Sequence, residues 1–205
     1  MPSIYSVKPL FQKSLRPLVR LLARIGVTAN QVTLLACALS ITTGILLIAF
    51  RGRPRLMLIL PLFFFLRMAM NAIDGMLARE FGQSTPIGAY LNKLADVLSD
   101  TALYLPFAFV APFGPWSVGL VVFAACISEM AGALGPLAGT TRRHDGPMGK
   151  SDRALVFGAL GLCVGLGGPL PPVFFWTMPA IALLICCNIV NRVCRGATAA
   201  PGARR

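Results

Sequence analysis

The chain has 205 residues, of which 56% are hydrophobic and 13% charged, with a mean hydropathy of +0.74 and a formal net charge of +12 at pH 7. Soluble globular domains carry about a quarter charged residues, so the shortage of charge excludes that class and indicates a polytopic membrane protein. Nucleic acid is set aside as a partner, because the Lys and Arg residues lie in short segments between apolar runs, as cytoplasmic loops do, and not on one face of a soluble domain.

In chain order, residues 1–29 read as an N-terminal juxtamembrane arm. Within it Phe11, Leu15, Leu18, Leu22 and Ile25 fall on one helical face and Lys13, Arg16, Arg20 and Arg24 on the other, the pattern of an amphipathic helix lying at the membrane interface. Six transmembrane helices are expected next, over 30–50, 56–79, 86–110, 115–138, 152–168 and 172–194. The first of these contains QVTLLACALSITTGILLIAF, long enough without a charge to cross the hydrocarbon core. Uncharged connections at 111–115 and 167–172 alternate with basic ones at 80–86 and 139–151, which places both termini in the cytoplasm of a bacterial inner (plasma) membrane; FRGRPR (50–55) runs against that rule. The fold class is therefore all-α integral membrane, with one six-helix domain over 30–196 and a basic tail over 197–205. Cys37, Cys126, Cys163, Cys186, Cys187 and Cys194 show no metal-ligand spacing and read as small packing residues.

The chemistry concentrates in the second and third spans. The stretch NAIDGMLAREFGQSTPIGAYLNKLADVLSD (71–100) holds Asp74, Asp96 and Asp100, and Arg67 precedes it. A charge at the bilayer centre costs at least about 2.5–3.5 kcal/mol, so such residues are first read as functional, with a buried ion pair between helices as the plain alternative. Positions 67, 71, 74 and 78 share one helical face, and 88, 92, 96 and 100 another. Two polar stripes then face each other, with Gly75, Ala78 and Gly88 leaving room between backbones. At a rise of about 1.5 Å per residue, Arg67 and Asp100 lie about 18 and 21 Å from the mouth of the hairpin. That level predicts an Arg67–Asp100 ion pair beneath the site, with Glu129 a further candidate partner for Arg67. Oxygen ligands converging from two helices suit a hard divalent ion, Mg²⁺ or Mn²⁺, and Arg79 at the mouth suits a phosphate.

These residues resemble the signature of the CDP-alcohol phosphotransferases (CDP-alcohol phosphatidyltransferases), D-x-x-D-G-x-x-A-R-x8-G-x-x-x-D-x-x-x-D. The chain reads N-A-I-D-G-M-L-A-R, eight residues, then G-A-Y-L-N-K-L-A-D, so that Asp74, Gly75, Ala78, Arg79, Gly88 and Asp96 match. GVTANQVT (26–33) and GKSDRA (149–154) resemble the family's entries to its first and fifth helices. The resemblance implies a homodimer of six-helix protomers with a cytosolic site. It implies transfer of a phosphatidyl-type group from a CDP-linked lipid, CDP-diacylglycerol, to an alcohol with release of CMP, in phospholipid biosynthesis. By position, Asp74 and Asp96 would ligate metal together with Asn71 and Asn92. Asp96 would be the general base, Gly75, Ala78 and Gly88 would line the cytidine diphosphate pocket, and Arg79 would contact the diphosphate.

Asn71 and Asn92 stand where the family pattern has aspartates. An amide carbonyl ligates a hard cation as a neutral donor, less tightly than a carboxylate. Three readings follow: one tightly held metal with a second brought by the nucleotide, Asp100 substituting as a ligand, or a non-catalytic homologue that binds CDP-lipid. A small transporter with Arg67, Asp96 and Asp100 as a charge relay is the alternative from another class, and the lack of an internal repeat counts against it. Lys150 and Arg153, with Arg142 and Arg143, are candidates for an acceptor phosphate, which favours a phosphorylated alcohol; Ser151 reads as the N-cap beside them. His144 reads as a solvated loop residue, and Asn188 and Asn191 as packing residues.

Overall fold

The computed structural model describes residues 8–139, 146–167 and 170–199, and every regular element among them is helical. In chain order they are α1 (Lys8–Arg24), α2 (Ala29–Ala49), α3 (Ile59–Glu80), α4 (Pro86–Tyr104), α5 (Pro115–Ala133), α6 (Lys150–Leu166) and α7 (Thr177–Ala199). Short 3₁₀ segments at Pro54–Leu58, Leu105–Phe109, Gly135–Ala138 and Pro172–Trp176 each carry proline in the first turn. Proline fits there because its fixed φ suits the turn and its missing N–H would have had no partner.

Four helices, counting 3₁₀ extensions, are long and apolar enough to cross a membrane: Ala29–Ala49, Pro54–Glu80, Pro115–Ala133 and Pro172–Thr198. This is an integral membrane protein. The other two expected spans are helical but differ in kind: α4 carries Lys93, Asp96 and Asp100, and α6 has only 17 residues. Charged residues of the two helices pair with each other inside the bundle, Lys150 with Asp96 and Arg153 with Asp100.

Local sequence sets the helix ends. Thr28 caps α2: its hydroxyl accepts from the Gln31 N–H at 3.3 Å, and Gln31 Oε1 accepts from the Thr28 N–H at 2.9 Å. Thr85 caps α4, accepting from the Gly88 N–H at 3.0 Å, with Pro86 at the first helical position. The cap of α6 is Gly149, not Ser151 as expected; Asp152 reaches back to accept from the Gly149 N–H at 2.9 Å, and Ser151 lies inside the helix.

Packing is built on close backbone approach. α2 runs along α4, where Gly44 lies so near the Ala102 carbonyl that a Cβ would collide with it. α3 packs on α6, where Gly161 faces Leu60. The main core lies between these helices and includes Tyr104 stacked on Phe157 at 3.9 Å between ring centroids. The expected interfacial arm takes a different role over much of its apolar face. Leu15, Val19, Leu22 and Ala23 of α1 pack on a cluster with Ile73, Met76 and Leu77 of α3, while Leu18 and Ile25 remain exposed. Arg16 pairs with Glu80 at 3.4 Å, and the Phe11 ring meets Phe65 edge-on at 5.8 Å. The bundle thus claims part of the stripe that the sequence pattern assigns to lipid.

Gly44→Ala is expected to destabilise the bundle by about 1–3 kcal/mol through overpacking. Thermal unfolding in detergent should show a lower midpoint than for Gly119→Ala, whose Cβ would meet nothing within 4 Å.

Candidate active site

α3 and α4 leave the turn at 81–85 as a hairpin whose backbones stay largely apart, so side chains span the cleft. The turn is tied to the start of α2 by one residue. Gln83 Oε1 accepts from the Ala29 N–H at 2.7 Å, and its Nε2 donates to the Val27 carbonyl at 3.3 Å. This clasp satisfies an otherwise orphan donor of α2 and brings the first turn of α2 against the hairpin, where the Asn30 side chain lies over Gly88.

Asp74 sits nearly two turns before the end of α3 and is 4% exposed. Its Oδ2 accepts from the Thr33 hydroxyl at 2.8 Å and from Asn92 Nδ2 at 3.4 Å. Among the described residues, no lysine or arginine pairs with it. Asp96, 8% exposed on α4, is in the opposite situation. Lys93 Nζ lies 3.3 Å from its Oδ2, and Lys150 Nζ from the first turn of α6 bonds its Oδ1. Asn71 is half-buried on α3; Arg79 is exposed at the mouth, its guanidinium over Gly75. Ala78 is half-buried at the edge of the α1–α2–α3 apolar cluster, which occupies part of the surface expected to line a nucleotide pocket.

Beneath this polar cleft runs a buried chain of charges. Arg67 Nη1 lies 2.5 Å from Asp100 Oδ1, and its Nη2 donates to the Asp96 carbonyl at 3.1 Å. Arg153 Nη2 reaches both Asp100, at 3.2 Å, and Glu129, at 3.3 Å, and Nη1 donates to the Met148 carbonyl. Glu129 also faces Arg192 at 3.7 Å, and Arg192 donates to the Ser128 carbonyl. The Ser128 hydroxyl donates to Asn188 Oδ1 at 2.9 Å. Five helices, α3 to α7, are joined through three guanidiniums and two carboxylates in an apolar bundle.

Two site expectations change. Arg153 is fully buried in this chain, between Asp100 and Glu129, so it is not open to an acceptor phosphate. Glu129, expected as a possible partner of Arg67, faces Arg153 and Arg192 instead. Arg142, Arg143, His144 and Asp145 lie outside the described residues. Thr33, Gln83 and Lys93 join the site without having been singled out. Thr33 sits within GVTANQVT, a stretch whose motif character does mark it, whereas Gln83 is a turn residue with no pattern to identify it.

A family model for CDP-alcohol phosphatidyltransferases matches residues 26–187. The chain belongs to that family. The inner membrane protein YnbA of Escherichia coli K12 is 49% identical over 164 residues, covering 80% of this chain and 81% of its own. The phosphatidylinositol phosphate synthase of Corynebacterium glutamicum is 29% identical over 189 residues, 88% of this chain and 83% of its own. The fold matches the crystal structure of Mycobacterium tuberculosis phosphatidylinositol phosphate synthase PgsA1 with CDP-DAG bound, at a TM-score of 0.71 and 22% identity over 92% of this chain and 96% of that one. The same enzyme in complex with manganese and citrate matches at 0.70 and 21%, covering 92% of this chain and 91% of that one.

The family's divalent metal can be tested against the residues present. Among the described residues no group of three or more Asp, Glu, His or Cys side chains is arranged to hold a metal. The cleft nevertheless offers oxygen donors that suit a hard cation: the Asp74 carboxylate and the carbonyls of Asn71 and Asn92 from the hairpin, and the Thr33 hydroxyl from α2. The decisive observation is that Asp74 is a buried carboxylate surrounded by uncharged donors, an arrangement that a cation would complete. The residues fit one ion there.

Arg67→Met is expected to cost on the order of 3–5 kcal/mol by leaving buried Asp100 with less countercharge. Thermal unfolding in detergent should show the double variant Arg67→Met with Asp100→Leu losing less than the sum of the single losses, because the two residues are coupled. Additive losses would show that the 2.5 Å pair carries no coupling.

Proposed function

We propose that this protein transfers a phosphatidyl-type group from CDP-diacylglycerol to the hydroxyl of an alcohol, releasing CMP, at the cleft between α3 and α4. Family membership supports the reaction class. The observation that carries the assignment to this cleft is that both motif carboxylates line it. Asn92 of α4 bonds Asp74 of α3, and Arg67 of α3 holds the main chain of α4 at Asp96. A synthase relative and a like-folded enzyme solved with CDP-DAG support a CDP-lipid donor. The orientation we favour puts the hairpin mouth in the cytosol, because Arg79 and Lys150 belong to the basic side of the chain.

In this reading Asp96 is the general base, the role its motif position supports. As the acceptor hydroxyl loses its proton to the Asp96 carboxylate, its oxygen bonds to the lipid-side phosphorus of the diphosphate. The bond from that phosphorus to the bridging oxygen breaks, and CMP leaves with the electron pair. Asp74, with Thr33 and the carbonyls of Asn71 and Asn92, would hold a divalent cation, which would supply positive charge to the diphosphate. Arg79, exposed at the mouth, adds a guanidinium that can bond phosphate oxygens in a fork. Lys93 and Lys150 hold the Asp96 carboxylate in place until the acceptor arrives. With Arg153 withdrawn from the acceptor set, the phosphorylated-acceptor reading rests on Lys150 together with Arg142 and Arg143, which lie outside the described residues, so the acceptor is assigned here only as an alcohol.

The test is CMP release by the purified protein from CDP-diacylglycerol with Mg²⁺ or Mn²⁺, run against glycerol phosphate, inositol phosphate, serine, inositol and no acceptor. Metal-dependent release with one acceptor is expected, falling roughly 10²–10⁴-fold in Asp96→Ala, the range for loss of a general base. Saturable CDP-diacylglycerol binding without release for any acceptor, together with release gained by Asn71→Asp/Asn92→Asp, would instead establish the second reading that the two asparagines favour, a binding homologue.

A further inference from the structure

We propose that Lys150 is a built-in cation of this site: its ammonium compensates Asp96 where a second metal ion would otherwise be needed, so that the chain binds one divalent ion, at Asp74. This inference rests on the reading of α3–α4 as a metal-dependent transfer site and specifies the metal that site takes.

The two motif carboxylates, both buried, are treated differently. Asp74 receives only uncharged donors, from Thr33 and Asn92, while Asp96 receives an ammonium on each oxygen, from Lys93 and Lys150. Lys93 reaches Asp96 from within the same helix, three residues away. Lys150 comes from a different helix and is aimed there by the fold. It is the first residue of α6, and one turn later Arg153 is locked onto Asp100, which lies one turn beyond Asp96 on α4. Lys150–Asp96 and Arg153–Asp100 are therefore two rungs of one ladder between α6 and α4. The lower rung is buried and fixes the register of the upper one, so that Lys150 meets Asp96 with its side chain only 26% exposed.

Charge points to the same conclusion. Two divalent ions side by side carry four positive charges, and sites that hold such pairs answer them with several anionic ligands. At the cleft the hairpin offers two carboxylates, Asp74 and Asp96, with amides at 71 and 92, while Glu80 pairs with Arg16 and Asp100 with Arg67 and Arg153. One divalent ion at Asp74 and one ammonium at Asp96 give a less positive site that these ligands can hold. Asn92 fits this arrangement without moving its backbone. It now turns Nδ2 toward Asp74, and a half-turn of the planar amide would offer the carbonyl oxygen to a cation there.

The experiment is a Mn²⁺ titration of the full-length protein in detergent, with free ion read by electron paramagnetic resonance. The natural chain is expected to bind one Mn²⁺. Lys150→Met should gain metal binding, as a second ion or as a first ion held about tenfold more tightly once the neighbouring positive charge is gone. Lys150→Arg, which keeps the charge, should titrate like the natural chain. Two ions of similar affinity in the natural chain, or a Lys150→Met titration that superimposes on it, would overturn the inference. Should Lys150→Met fail to fold, Lys150→Gln takes its place, and the stoichiometry of the natural chain decides independently. One bound ion without CMP release for any acceptor leaves this inference standing and removes the activity; CMP release with no ion bound does the reverse.

Discussion

The buried ion pair between Arg67 and Asp100 is the constraint on which the rest of this bundle depends. Two charges in an apolar interior are tolerable only with close partners, and removing either leaves the other uncompensated. Here the requirement propagates. Asp100 engages Arg153, Arg153 engages Glu129, and Glu129 engages Arg192, so the pairing ties α3, α4, α5, α6 and α7 to a single register. Hydrophobic packing alone is weakly directional, whereas guanidinium–carboxylate contacts fix both direction and distance. Close backbone approach at Gly44 and Gly161 supplies contact; the charge chain specifies which residues meet.

The candidate active site is the upper edge of that chain. Arg67 uses one nitrogen for Asp100 and another for the main-chain carbonyl of Asp96, so the structural pair and the motif carboxylate share a support. Arg153 does the same from α6, holding Asp100 while the preceding turn delivers Lys150 to Asp96. At the mouth, Gln83 ties the hairpin turn to α2, which carries Thr33 to Asp74. The cleft is thus held from below by ions and from the side by an amide clasp. Rigid support of this kind is what transfer chemistry between two bound substrates requires.

Much of this was legible in the sequence, for identifiable reasons. The helices come from apolar runs punctuated by proline, threonine and glycine, and the hairpin from fixed spacing between Asp74, Gly88 and Asp96. The shared level of Arg67 and Asp100 follows from counting residues at a constant helical rise. What escaped depends on contacts between segments far apart in the chain. Arg153 stands in a basic stretch at a helix start, which reads as surface; its burial follows from the inward turn of α6 onto Asp100 and Glu129. The apolar stripe of α1 is the same whether lipid or α3 covers it, and only the fold divides Leu15 and Leu22, packed on α3, from Leu18 and Ile25, left exposed. Gln83 and Lys150 act across separations of 54 residues, on Ala29 and Asp96, and no local pattern encodes such pairs.

The central claim is that one cleft, between α3 and α4, receives the nucleotide of a CDP-lipid. The most direct test is an experimental structure of the protein in lipid nanodiscs with CDP-diacylglycerol and Mn²⁺. The account predicts the diphosphate in that cleft, between Arg79 and Asp74, with the Arg67–Asp100 pair intact beneath it. Nucleotide density elsewhere on the bundle, with Asp74 and Asp96 unchanged in their contacts, would contradict it.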